Sequence, residues 1–136
     1  MYAPLFLTIP LLLCMGYFFM GSLPLLVLNH DSPLDSRFIR GFFNTYYLAV
    51  IFTAPVAAIS YAMAGRLVYA VCLFAIFGVA LALRKVVLTR MDLLRIRLEH
   101  PDAAAIADFR QLHVAGMGVN FVQLVALVWG LFQFSV

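Results

Sequence analysis

Read from the N-terminus, the chain sets long apolar runs against short polar ones, and the lengths of the runs dictate the architecture. A helix needs about 20 apolar residues to cross a bilayer. Four stretches reach that length, at about 5–28, 42–64, 67–89 and 112–135. The third is free of charge from Leu67 to Leu83. Between them lie the segment N-H-D-S-P-L-D-S-R-F-I-R-G, then Gly65-Arg66, then a charged stretch from Arg84 to Arg110. A membrane β-barrel would alternate apolar and polar residues over about ten positions at a time, whereas these runs are continuous. The pattern predicts an all-α integral membrane protein. Residues 1–136 form one domain, an antiparallel bundle of four transmembrane helices.

The first run reads as a retained span. No basic segment precedes Leu5, and the run exceeds the roughly 7–15 residues of a signal-peptide core. A lipoprotein site at Cys14 would need a small residue before it, and Leu13 stands there.

Helix three should continue past the membrane. Val87, Met91, Leu94 and Leu98 recur at helical spacing, with Arg90, Arg95 and Arg97 on other faces. Glu99-His100-Pro101-Asp102 then breaks the helix. Proline suits the first turn of the next helix, and Asp102 complements its dipole. The fourth helix should therefore run from Pro101 to the C-terminus, about 35 residues or 50 Å. Helices three and four are expected to project together as a cytoplasmic hairpin over about 84–111. That hairpin either packs on itself or offers a docking or membrane-surface element.

Composition sharpens this picture. Hydrophobic residues make up 65% of the chain and charged residues 11%, with a mean hydropathy of +1.04. These values exclude an ordinary water-soluble domain and a disordered chain. The net charge of +3 carries topological information. Arg37, Arg40, Arg84, Lys85, Arg90, Arg95, Arg97 and Arg110 fall in the first and third connections, against Arg66 in the second. Cations accumulate on the cytoplasmic side. Both termini are thus expected outside, and the location expected is a bacterial inner membrane. The same cations can meet anionic head groups, and no nucleic-acid partner is expected.

Polar residues within the apolar runs are the candidates for chemistry, because facing lipid is expensive for them. His113, Gly116, Asn120 and Gln123 share one arc of helix four, continued by Leu127 and Gly130. Asn120 and Gln123 either bond across the bundle or line a polar pocket. Asn44 lies at the depth of His113 and is a plausible partner for it. Tyr46 and Tyr47 read as an interfacial belt. Arg84 and Arg110 would complete a cationic cluster able to bind a lipid phosphate. His30 and His113 are weak metal candidates, since their spacing matches no ligand motif. Only His113 lies near membrane depth, which disfavours bis-histidine haem. Cys14 and Cys72 read as buried apolar side chains. Pro10, Pro24 and Pro55 remove helix hydrogen bonds, and kinks at Pro10 and Pro55 would open a cavity in the outer half.

The stretch Ala107-Asp108-Phe109-Arg110-Gln111-Leu112-His113, followed by Gly116 and Asn120, resembles the last helix of a family of small four-span bacterial membrane proteins of unknown function. A phenylalanine, a leucine–histidine pair and an asparagine recur there. Gly116 stands where that family usually has serine. The resemblance implies the four-span fold, singles out His113 and Asn120, and implies no particular reaction.

Three functions fit these features. The favoured one is a non-catalytic accessory or assembly subunit of a larger membrane complex, with the bilayer and other membrane subunits, or further copies of itself, as partners. It requires no cofactor. The second is a membrane redox protein binding quinone or haem around His113, with Asn120 and Asn44 orienting the ligand. The third is a small oligomeric transporter, although the spans lack the acidic residue that coupled pathways usually use. No nucleophile–base pair, phosphate loop or carboxylate pair appears at suggestive spacing.

Overall fold

A computed structural model describes residues 2–100 and 102–135, with side chains as far as Gln133. Its described residues form four helices, α1 (Ala3–Leu25), α2 (Pro33–Met63), α3 (Leu67–Arg97) and α4 (Ala103–Ser135). All four are long and apolar enough to cross a membrane, which makes the chain a multi-pass membrane protein. Pro101, expected to open α4, and Val136, at its expected end, lie outside the described residues.

Three helices outrun the apolar segments that announce them. The α2 helix starts at Pro33, well before the apolar run at Phe42. Ser32 is the reason: its hydroxyl accepts from the Asp35 amide at 3.1 Å, and proline follows it in the first turn. Such an N-cap satisfies a backbone N–H that the helix itself leaves unpaired. Asp35 then adds negative charge beside the helix N-terminus. The α3 helix continues to Arg97, with Val87, Leu88 and Met91 buried. At the start of α4 the Asp102 carboxylate accepts from the Ala104 amide at 3.0 Å.

The helices meet in sequence order, and α4 packs on α1 as well as α3. Thr8 near the start of α1 approaches the Tyr61 hydroxyl of α2 at 3.4 Å, while Gly21 near its other end lies against Phe42. Arg40 of α2 holds Asp92 of α3 through two hydrogen bonds, of 2.7 and 2.9 Å. Arg97 bridges to Asp102 at 2.7 Å and to Asp108 at 3.7 Å. Leu13, Tyr17, Met20, Phe52, Val125 and Trp129 are exposed, as expected for side chains that face lipid.

Gly116 of α4 determines how close that helix comes to α2. A Cβ there would overlap the ring of Phe43. That ring is fully buried and boxed by Phe18, Tyr47 and His113, with no room to swing aside. Gly116→Ala should therefore destabilise the fold by about 1–3 kcal/mol through overpacking. Gly118→Ala, which adds a methyl to open space, should be close to neutral. Denaturation in detergent of both variants checks this, and equal effects would contradict the packing argument.

Candidate functional site

Apart from Thr8, which sits beside Tyr61 at the other end, the buried polar side chains gather towards the half of the molecule where most of its basic residues lie. They are assembled around the connection of residues 26–32. Leu26, Val27 and Leu28 still bond back into the last turn of α1. The chain then reverses at His30, whose φ of 61° places it in the left-handed region. A non-glycine residue adopts that conformation at some cost and needs surrounding structure to hold it there. Two contacts do so. The Arg110 guanidinium of α4 donates to the Leu26 carbonyl at 3.1 Å, and the His30 side chain is inserted into the bundle at 0% exposure.

There His30 Nε2 meets His113 Nδ1 of α4 at 3.1 Å. His113 is also at 0% exposure. The ring centres are 5.4 Å apart, which is the nitrogen–nitrogen distance plus one ring radius at each end. The two rings therefore point at each other head-on, and a single proton lies between the facing nitrogens: one ring donates while the other accepts. Two imidazoles holding a common metal ion would instead aim their lone pairs at a third point. The described residues contain no group of three or more metal-ligating side chains. The geometry is that of a shared proton, and a metal held between the two rings does not fit it. Phe109 and Phe43 lie against the pair.

Burial holds the His30 imidazole below its ordinary pKa. The Leu28 carbonyl opposes that shift, the Arg110 charge adds to it, and Asp35 and Asp31 weakly oppose it.

A second polar pair follows along α4. Asn120 Nδ2 donates to the Tyr46 hydroxyl at 2.8 Å, with both residues buried. Tyr46 stacks on Phe18, centroids 4.0 Å apart, and Tyr47 lies beside it. Five atoms of this core have no hydrogen-bond partner among the described residues: Ser22 Oγ, His30 Nδ1, His113 Nε2, Tyr47 Oη and Asn120 Oδ1. Such groups are costly in an apolar interior unless water or a ligand satisfies them.

The structure places the expected site residues in two groups. His113, Gly116 and Asn120 face inward as the helical arc requires, while Gln123 is half-buried. Asn44 does not reach His113. Its carbonyl oxygen accepts from Arg84 at 3.2 and 3.3 Å, because α3 places a guanidinium at that level of α2. Arg84 and Arg110 are thus engaged separately, one by Asn44 and the other by the Leu26 carbonyl. The partner of His113 is His30, a residue that the sequence places outside the spans.

Other expectations are corrected. Tyr46 and Tyr47 are buried core residues and do not form an interfacial belt; their rings fill the space between α1 and α2 beside Phe18. Cys72 is exposed on α3 and Cys14 is half-buried, so neither is an enclosed apolar filler. A hollow of about 440 Å³ does exist near the Tyr61 end, but no proline lines it. Tyr69, Cys72 and Ile76 of α3 and Ala126 and Gly130 of α4 are among its walls, so it reflects the separation of α3 from α4.

The Tyr46–Asn120 bond offers a clean test of polar bonding inside the spans. Asn120→Leu should cost on the order of 1 kcal/mol, because the Tyr46 hydroxyl loses its partner. Adding Tyr46→Phe should recover part of that loss, since both polar groups are then gone. A double-mutant cycle by detergent denaturation reads the coupling, and strictly additive effects would contradict it.

No protein-family model matches the chain, and neither a curated protein nor a solved structure matches it.

Proposed function

We propose that the chain is an accessory or assembly subunit of a larger complex in a bacterial inner membrane. In this reading it is an antiparallel four-helix bundle of the four-span family that its last helix resembles. Its basic end, with the α3–α4 hairpin, lies in the cytoplasm, and both termini lie outside. The cation distribution supports that orientation: the second connection contributes Arg66, against the clusters in the first and third.

The observation that carries the subunit reading is the open face between α3 and α4. Hollows of about 440 Å³ occur between these helices towards both ends. The one at the Tyr61 end is almost wholly apolar. The one at the basic end is rimmed by Arg90, Asp108 and Gln111. A transmembrane helix of another subunit, apolar through the bilayer and polar beyond it, matches this sequence of surfaces. Small residues at Ala75, Ala126 and Gly130 would let its backbone come close.

A second reading is favoured by one atom. His113 Nε2 is buried and has no hydrogen-bond partner among the described residues, and it suits the carbonyl of a bound quinone in a membrane redox protein. A lipid extract of the purified protein without quinone would remove that reading.

Native mass measurement in lipid discs tests the first reading. The wild type should run as a complex heavier than the 15.2 kDa chain, with a different protein present. The double substitution Ala75→Trp and Ala126→Trp, which fills the apolar hollow, should release the single chain. A wild type at the mass of one chain, or at a multiple of it, overturns the proposal, and so does a complex that survives the filled hollow.

A further inference from the structure

We propose that the hollow between α3 and α4 at the basic end seats the head group of a zwitterionic aminophospholipid, its phosphate on Arg90 and its ammonium on Asp108. The inference goes beyond the subunit reading. It needs no second protein, and the hollow whose filling tests that reading, at the Tyr61 end, plays no part in it. A neighbouring subunit can close over a lipid held here.

The hollow lies at the right depth. At about 1.5 Å per residue, Arg90 stands about 35 Å along α3 from the first residue of that helix, Leu67. The hydrocarbon layer of a bilayer is about 30 Å thick, and the head groups bring the total to about 40–45 Å. With the Leu67 end of α3 at one membrane surface, Arg90 therefore reaches the head-group layer of the other. Asp108 and Gln111 of α4 border the same hollow and share that level. Leu112 and Ala115, where the apolar run of α4 begins, give it an oily wall along which acyl chains can leave.

Most guanidinium groups at this end are already engaged. Arg40 and Arg95 hold Asp92, and Arg97 holds Asp102. Arg84 is taken by Asn44 and Arg110 by the Leu26 carbonyl. Arg90 is different. It is exposed on the rim and has no ion pair or hydrogen bond among the described residues. It does not pair with Asp108, although both border the hollow. The Asp108 carboxylate has a loose contact at 3.7 Å, with Arg97, whose guanidinium is closer to Asp102 at 2.7 Å.

Two opposite charges held apart on the rim of one cavity suit a ligand that carries both charges in the complementary order. A phosphoethanolamine head group does so. Its phosphate oxygens match the donor fork of a guanidinium, and the Gln111 amide offers a further N–H. Its primary ammonium can donate to the Asp108 carboxylate. The cavity of about 440 Å³ falls within the range of about 300–1,000 Å³ usual for small-molecule sites. The same chemistry selects against other head groups. A quaternary ammonium has no N–H to give to Asp108, and a head group with a phosphate as its sole charge places an anion beside that carboxylate.

Native mass measurement of the full chain in detergent tests the proposal. The chain is titrated with phosphatidylethanolamine, phosphatidylcholine or phosphatidylglycerol of identical acyl chains. The ethanolamine lipid should bind about tenfold more tightly than the other two, as one added charge-assisted hydrogen bond implies. Asp108→Asn should abolish that preference, and Arg90→Gln should weaken binding of the ethanolamine lipid about tenfold. Both positions are exposed, so both variants should fold. Arg97→Gln removes the ion pairs to Asp102 and Asp108 but no atom that borders the hollow, and it should keep the preference. Equal affinity for the three lipids overturns the proposal. So does a preference for the glycerol lipid, which would make the hollow a plain anion site. Ethanolamine-lipid binding that is unchanged in Arg90→Gln, a preference that survives Asp108→Asn, or one that is lost in Arg97→Gln overturns it too.

Discussion

A polar side chain inside a membrane protein has few partners to choose from, and that scarcity organises this fold. Water does not compete within the hydrocarbon layer, so each amide and imidazole must find a mate elsewhere in the protein or remain unpaired, while hydroxyls such as those of Thr8, Thr53 and Ser60 can turn back to a carbonyl of their own helix. The His30–His113 bond is where this constraint acts most strongly. It joins the α1–α2 connection to α4, two parts of the chain separated by most of its length. Apolar packing alone does not define that junction, because oily faces slide against one another more easily than hydrogen-bonded groups. The bond from Asn120 to Tyr46 fixes the register of α4 against α2 further along, and Gly116 lets the two approach over the ring of Phe43.

Outside this core the helices are held by different means. Arg40 grips Asp92 with two nitrogens, a planar match between guanidinium and carboxylate that sets direction as well as distance. Arg97 links α3 to the start of α4 through Asp102 and Asp108. These contacts are partly exposed, so each adds little to stability by itself. Their effect is geometric: they align the ends of α2, α3 and α4 where the apolar runs have stopped. The α3–α4 pair is less closely fitted elsewhere, and hollows open between these two helices.

The sequence made the helices legible because hydropathy and length are local properties. It also made the inward arc of His113, Gly116 and Asn120 legible, since a regular helix fixes which residues share a face. The start of α2 was harder to see. Its first turns are polar, and the signal lay in Ser32-Pro33-Leu34-Asp35, a cap followed by proline and an acidic residue. The position of His30 was not legible at all. Nothing in N-H-D-S indicates that the backbone turns left-handed there and sends an imidazole inward, because that conformation is maintained by α4, which lies far along the chain. The tyrosines depart from the expected interfacial belt for a related reason. Aromatic residues near a helix end suit an interface, and only the proximity of Phe18 and Asn120 places them inside. Cys72 is exposed because burial depends on which faces of α3 have neighbours, and the α4 side of that helix is open.

The unequal lengths of the helices have a mechanical consequence. The α1 helix has 23 residues, while α2 and α3 have 31 each. At the rise of an α-helix the excess amounts to about 12 Å. Since Thr8 of α1 sits beside Tyr61 of α2, the surplus lies at the opposite end, where Arg40 clamps Asp92. The molecule therefore carries a stiff pedestal standing clear of its shortest helix, and the reversal at His30 tucks in beneath this overhang. Anything seated on the pedestal is held at a set height above that turn, and a tilt imposed there would be transmitted through rigid rods to the opposite face.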